Sequence, residues 1–158
     1  MAELAAATAR RLAAGRAATV CAAVIALDQV TKHTLGTWIQ PGQVRHVIPG
    51  LTLVYERNTG VAFSFLAGTG ALVYAVTAIA LVALVAFLLA RPRRRLLWLP
   101  TGMLVGGAIG NLIDRVALGS VIDFVKLPHW PAFNLADTCV TFGVIILVLV
   151  IERGSADA

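Results

Sequence analysis

The twenty residues Ala71 to Ala90 read ALVYAVTAIALVALVAFLLA and carry no charge. As a helix, such a run rises about 30 Å, the thickness of a bilayer's hydrocarbon core. The rest of the chain agrees with it. Of 158 residues, 59% are hydrophobic and 13% charged, and mean hydropathy is +0.86. A soluble domain is nearer about half apolar and about a quarter charged. The apolar residues fall in long blocks, which favours a membrane protein over a greasy soluble one. The net charge of +5 does not point to nucleic acid, because little polar surface is left to hold it. Orientation in a bilayer explains it better.

Three further blocks complete the reading: about 17–37, 96–113 and 135–151. The first, in RRLAAGRAATVCAAVIAL, has a signal-peptide look. It runs on into DQVTK without a small-residue cleavage site, and Val20 before Cys21 is too large for lipoprotein processing. An uncleaved first span is expected. With four spans, Arg10, Arg11, Arg16, Arg91, Arg93, Arg94, Arg95 and Arg153 share one side. The other side has Arg45, Arg57 and Lys126, with Lys32 and Arg115 near the boundary. The imbalance places both termini in the cytoplasm. Outer loops then cover about 38–70 and 114–134.

The fold class expected is an all-α integral membrane protein of four transmembrane helices in a single membrane domain, with a small extracytoplasmic β-sheet cradle. The sheet is expected where a Pro-Gly turn precedes the β-leaning run Leu51 to Tyr55. Trp38 and Trp130 suit the interface. Cys21 and Cys139 lie near opposite membrane faces in this topology, so no disulfide is expected. His33, His46 and His129 are scattered, and no metal-ligand spacing occurs.

Ionisable groups at membrane depth are functional candidates. Asp28 and Lys32 lie four residues apart in the first span, as a structural ion pair or a ligand contact. In the third, Gly102, Gly106 and Gly110 form overlapping small-x-x-x-small motifs for close helix approach. A neighbouring ridge carries Gly107, Asn111 and Arg115. Asn111 can make an interhelical hydrogen bond or bind substrate. Arg115 can do the latter, snorkel, or pair with Asp114.

Two acids remain. Asp123 sits in the apolar run SVIDFVKLP, where ionisation is costly; Lys126 is a possible partner three residues on. Asp137, in FNLADT, has a capping explanation, with Asn134 as N-cap. The chain between them is short enough to fold back and bring them together. Two carboxylates sharing a site do not both ionise easily, so acid and base coexist near neutral pH. Such a pair can activate water against a peptide carbonyl.

The set DQVTK, NTGVAFSF, GGAIGNLIDRV, GSVIDFV and FNLADT, in this order among four spans, resembles lipoprotein signal peptidase (signal peptidase II), the bacterial membrane aspartic endopeptidases. The resemblance runs from about Asp28 to Asp137. It implies cleavage of prolipoproteins on the amino side of a diacylglyceryl-modified cysteine. It also implies that Asp123 and Asp137 are catalytic, that Asn58, Gly60, Asn111, Arg115 and Asn134 bind substrate, and that Asp28 and Lys32 form a structural polar pair. Ala62 and Ala136 match flanking motif positions. No cofactor and no metal is implied. The expected partners are prolipoprotein substrates and membrane lipids, and the expected state is a monomer in the bacterial plasma membrane with its active site toward the extracytoplasmic face. Two rival classes are a small transporter or scaffold, against which no internal repeat is found, and a lipid-modifying enzyme, against which the motif set counts.

Overall fold

The computed structural model describes residues 1–59 and 70–156. Four helices and three strands follow in the order α1 (Ala2–Trp38), β1 (Val44–Ile48), β2 (Leu51–Asn58), α2 (Gly70–Ala90), α3 (Trp98–Leu118), β3 (Val121–Lys126) and α4 (Leu135–Ala156). The uncharged run is α2, within one residue of its expected bounds. The first expected span, about 17–37, lies within α1, which is 37 residues long and begins at Ala2, because the Ala-rich leader continues the helix through its arginines. Beyond the third expected span, about 96–113, α3 runs on through Asp114 and Arg115 to Leu118.

Helix α3 lies at the centre, packed on both α1 and α4. Its two small-residue ridges divide that work. A Cβ on Gly102 would lie 2.6 Å from the Ala17 carbonyl oxygen, and one on Gly106 2.9 Å from that of Cys21, both on α1. A Cβ on Gly107 would lie 2.6 Å from the Ala136 carbonyl oxygen on α4. The backbones touch, as small-residue interfaces allow. Residues on the outer faces are apolar and exposed: Val76, Ile79 and Val82 on α2, and Ile145, Val148 and Leu149 on α4. Apolar exposure on that scale fits lipid, not water. Ala2–Trp38 and Leu135–Arg153 are each long and apolar enough to cross a membrane, and Ala75–Ala90 is a shorter apolar helix.

The small sheet expected beside the helices is present. The strands form an antiparallel sheet in the order β1-β2-β3. Pro49 and Gly50 make the first hairpin, with Gly50 at φ +85°, a turn in which proline leads and glycine takes the left-handed residue. The third strand comes from the segment expected as loop, and Asp123 sits in its middle. Gly119, at φ +70°, ends α3 and donates its N–H to the Arg115 carbonyl. This left-handed cap turns the chain back within two residues. After β3 the chain turns again, and Phe133 pairs with Val125 through backbone hydrogen bonds in both directions, each 2.9 Å. That pairing delivers Asn134 and the start of α4 to the side of Asp123.

Candidate active site

Asp123 is 1% exposed. Its Oδ1 accepts a hydrogen bond from Asn134 Nδ2 at 2.7 Å, and its Oδ2 accepts one from Asn58 Nδ2 at 2.9 Å. Burial raises its pKa from the ordinary carboxylate value to about 6. The Asn58 hydrogen bond opposes the rise, the Asp137 charge adds to it, and Asn134 and the more distant Lys32 oppose it. Lys126 is not its partner. Lys126, at the end of β3, pairs instead with Glu56 on β2, where both side chains are 45% exposed.

Asp137 enters from the first turn of α4. Its Oδ2 accepts the Asn134 N–H at 3.2 Å, while Asn134 Oδ1 accepts the Asp137 N–H at 2.9 Å. This is a reciprocal capping box. The capping explanation is therefore right, yet it leaves the other oxygen for the site: Oδ1 accepts from Asn111 Nδ2 at 2.8 Å. Asn134 also donates to Asn111 Oδ1 at 3.0 Å. Asp123, Asn134, Asn111 and Asp137 thus form one continuous network.

What orients these amides lies beneath them. Lys32 Nζ reaches Asp28 Oδ2 at 2.7 Å, Asp114 Oδ2 at 2.8 Å and Asn111 Oδ1 at 3.0 Å. An ammonium only donates, so Asn111 must turn its oxygen to Lys32 and its Nδ2 to Asp137. The Asp137 N–H similarly holds the Asn134 oxygen and leaves its Nδ2 for Asp123. Asp28, fully buried, accepts the Ala136 N–H at 3.0 Å, which satisfies an open donor at the start of α4. The buried Asp28–Lys32 pair joins α1 to α3 and α4.

Two members of the network escaped the sequence reading. Asp114 binds Lys32, accepts the Ile122 N–H at 3.1 Å and accepts from Gln29 Nε2 at 3.0 Å. It ties α3 to β3 next to the position of Asp123. Gln29 Nε2 also approaches Asp28 and the Gly110 carbonyl. The signal for Asp114 was present: steps of four through Gly102, Gly106 and Gly110 land on it. Arg115, by contrast, does not pair with Asp114. Its guanidinium donates to the Asn111 carbonyl on its own helix at 3.3 Å, apart from both site aspartates. Gly60 and Ala62 lie outside the described residues.

A buried carboxylate whose pKa burial raises is thus linked through two amides to a second carboxylate. The family model for signal peptidase (SPase) II matches residues 20–152. The chain belongs to the signal peptidase II family. Relatives in this signal peptidase II family include the lipoprotein signal peptidase of Moorella thermoacetica, 44% identical over 126 residues, covering 78% of this chain and 84% of the relative. That of Symbiobacterium thermophilum is 42% identical over 144 residues, covering 84% and 93%. Two solved structures of a bacterial membrane enzyme, described as determined by the in meso method at 1.9 and 2.3 Å, superpose with TM-scores of 0.75 and 0.78. They are 33% and 32% identical and cover 87% and 90% of this chain and 92% and 91% of their own. In this signal peptidase II chain, the match takes in α1 from Val20 onward, the sheet and α4, so every element that supplies the network lies within it.

Proposed function

We propose that this signal peptidase II family member hydrolyses its substrate with Asp123 and Asp137 as an aspartic pair. As a lipoprotein signal peptidase, it removes the signal peptide from a lipoprotein precursor. The finer reading is that it cuts on the amino side of a diacylglyceryl-modified cysteine. The observation that carries the mechanism is the network Asp123–Asn134–Asn111–Asp137, in which burial raises the Asp123 pKa to about 6. The ionised member of the pair takes a proton from water as the oxygen attacks the scissile carbonyl. The protonated member gives its proton to the departing amide nitrogen as the carbon–nitrogen bond breaks. The pair titrates as a unit.

In this reading Asn111 and Asn134 hold the carboxylates and meet the substrate's backbone, Asn58 approaches it from the sheet side, Arg115 binds it from the rim, and Gly60 is a further substrate-binding residue by its motif. The four helices span the bilayer, both termini face the cytoplasm, and the aspartates lie at the extracytoplasmic boundary of the bacterial plasma membrane. The basic residues at 10–16 and 91–95 support that orientation. There the substrate's acyl chains stay in lipid while its peptide bond reaches a wet edge. The protein works as a monomer, surrounded by membrane lipids. The test is cleavage of a lipidated precursor by purified Asp123→Asn and Asp137→Asn. Each is expected to fold and to release no signal peptide; full cleavage by either sinks the pair.

A further inference from the structure

The end of the bundle remote from the aspartates holds a second concentration of unneutralised side chains. About 20 Å of α3 separates Trp98 from Asn111, at 1.5 Å per residue. Between the start of α1 and the α2–α3 connection lies a cavity of about 400 Å³. Beside it is another of about 310 Å³ that shares Pro92, Arg93 and Arg94. Six arginines line the two: Arg10 and Arg16 from α1, and Arg91, Arg93, Arg94 and Arg95 from the connection. No carboxylate lines either cavity, and none of the six forms a salt bridge among the described residues.

Some of these groups already have local partners. Arg16 stacks over Trp98 at 5.9 Å, and Arg91 and Arg94 approach the Phe87 ring at 5.1 and 5.9 Å. Arg94 Nη2 donates to the Ile151 carbonyl at 2.6 Å and to that of Val150 at 3.3 Å, which caps the end of α4. Its Nε is buried with no hydrogen-bond partner. Arg10, Arg93 and Arg95 are exposed. The apolar part of the lining, Ala9, Leu12, Ala13, Leu96 and Trp98, forms a floor to the larger of the two cavities.

Charge count alone would orient a helix bundle with lysine or arginine alike. Here every basic residue is arginine, whose forked donors match phosphate oxygens in pairs. So many like charges in one place repel each other unless an anion joins them. A free phosphate would use the arginines and leave the apolar floor unused. A phospholipid uses both.

We propose that this cavity pair binds an anionic phospholipid, its phosphate among Arg10, Arg93 and Arg95 and its glycerol and first methylenes against the apolar floor. The proposal does not depend on the peptidase reading. The test is native mass spectrometry of the delipidated full-length protein with dioleoylphosphatidylglycerol, dioleoylphosphatidylcholine or inorganic phosphate. The unaltered protein is expected to retain phosphatidylglycerol in preference to phosphatidylcholine. Arg10→Gln/Arg93→Gln/Arg95→Gln is expected to weaken phosphatidylglycerol retention by at least about tenfold, given the usual contribution of each basic residue near an anionic lipid. Arg93→Lys/Arg95→Lys keeps the charge and hence the orientation, and is expected to bind several-fold less tightly because the fork is lost. Arg45→Gln, on β1, is expected to change nothing. Equal retention of the two lipids by the unaltered protein, or unchanged retention by the triple variant, overturns the proposal. So does inorganic phosphate binding as tightly as phosphatidylglycerol, which would leave the floor without a role.

Discussion

Lys32→Met removes the one cation from the buried cluster under the aspartates. Lys32 is 2% exposed, Asp28 0% and Asp114 4%. Its ammonium lies within 2.8 Å of both carboxylates. Methionine nearly matches the length of the stem, so packing changes little and the effect is electrostatic. Breaking a buried pair by removing one partner costs about 3–5 kcal/mol, because the remaining charge is stranded. Here two carboxylates are stranded, and Asn111 loses the contact that fixes its amide. For a chain of this size that cost lowers the melting temperature by roughly 6–20 °C. Thermal unfolding in detergent measures it, read by a thiol-reactive dye on Cys21 and Cys139, both free and part-buried. Replacing the carboxylates as well, in Asp28→Asn/Lys32→Met/Asp114→Asn, leaves no stranded charge and is expected to recover most of the loss. If Lys32→Met melts with the unaltered protein, or the triple variant melts below the single one, the cluster does not work as described.

Asp123, with a folded pKa of about 6 against an ordinary 3.8, is costly to ionise. Folded stability therefore declines as pH rises from about 4 to about 6, by about 3 kcal/mol at 1.36 kcal/mol per unit, which unfolding across that range measures. The high-pH limb of kcat/KM, which reports the pair in the free enzyme, is expected near pH 6. Asn58→Ala removes a hydrogen bond to the ionised form and is expected to move that limb upward by about half a unit to one unit, water replacing part of the loss at this exposed strand end; a limb that stays or moves down refutes the assignment. Gly107→Ala drives a methyl to 2.6 Å from the Ala136 carbonyl oxygen. It is expected to cost at least about 1–3 kcal/mol and to reduce cleavage by separating Asn111 from Asp137, read as melting temperature and rate together. Lys126→Ala breaks an ion pair whose side chains are both 45% exposed, and is expected to change stability by less than about 1 kcal/mol in the same melting assay.

How far each feature could be read from the chain depended on the range of the interaction behind it. The α2 run was legible because an uncharged stretch of that length is apolar on every side of the helix at once. The glycine ridges were legible because steps of four leave a stripe. The strand at Val121–Lys126 was not: VIDF is buried on every residue, and an apolar run that short has no period to separate strand from loop. Asp114 was hidden by its neighbour, since adjacency to Arg115 suggested a pair that helical geometry does not make. The long α1 was hidden by its arginines, which read as an end to the apolar block although nothing in them ends a helix.

Taken alone, the sequence determined that the chain is a membrane protein, that α3 must meet its neighbours at close range, and that Asp123 and Asp137 are the acids to watch. Those follow from composition, periodicity and motif order, which are properties of the chain itself. It left open whether Asp137 caps a helix or serves the site, and whether Asp123 answers to Lys126. The tertiary structure decided both. Gly119 and the Val125–Phe133 pairing fold the chain back until Asn134 touches Asp123, and Lys126 pairs with Glu56. Asp137 has two oxygens, one in the helix cap and one bonded to Asn111 of the network. Only folding could show that the Asp28–Lys32 pair sets the direction of the Asn111 amide, because that contact joins residues 79 positions apart.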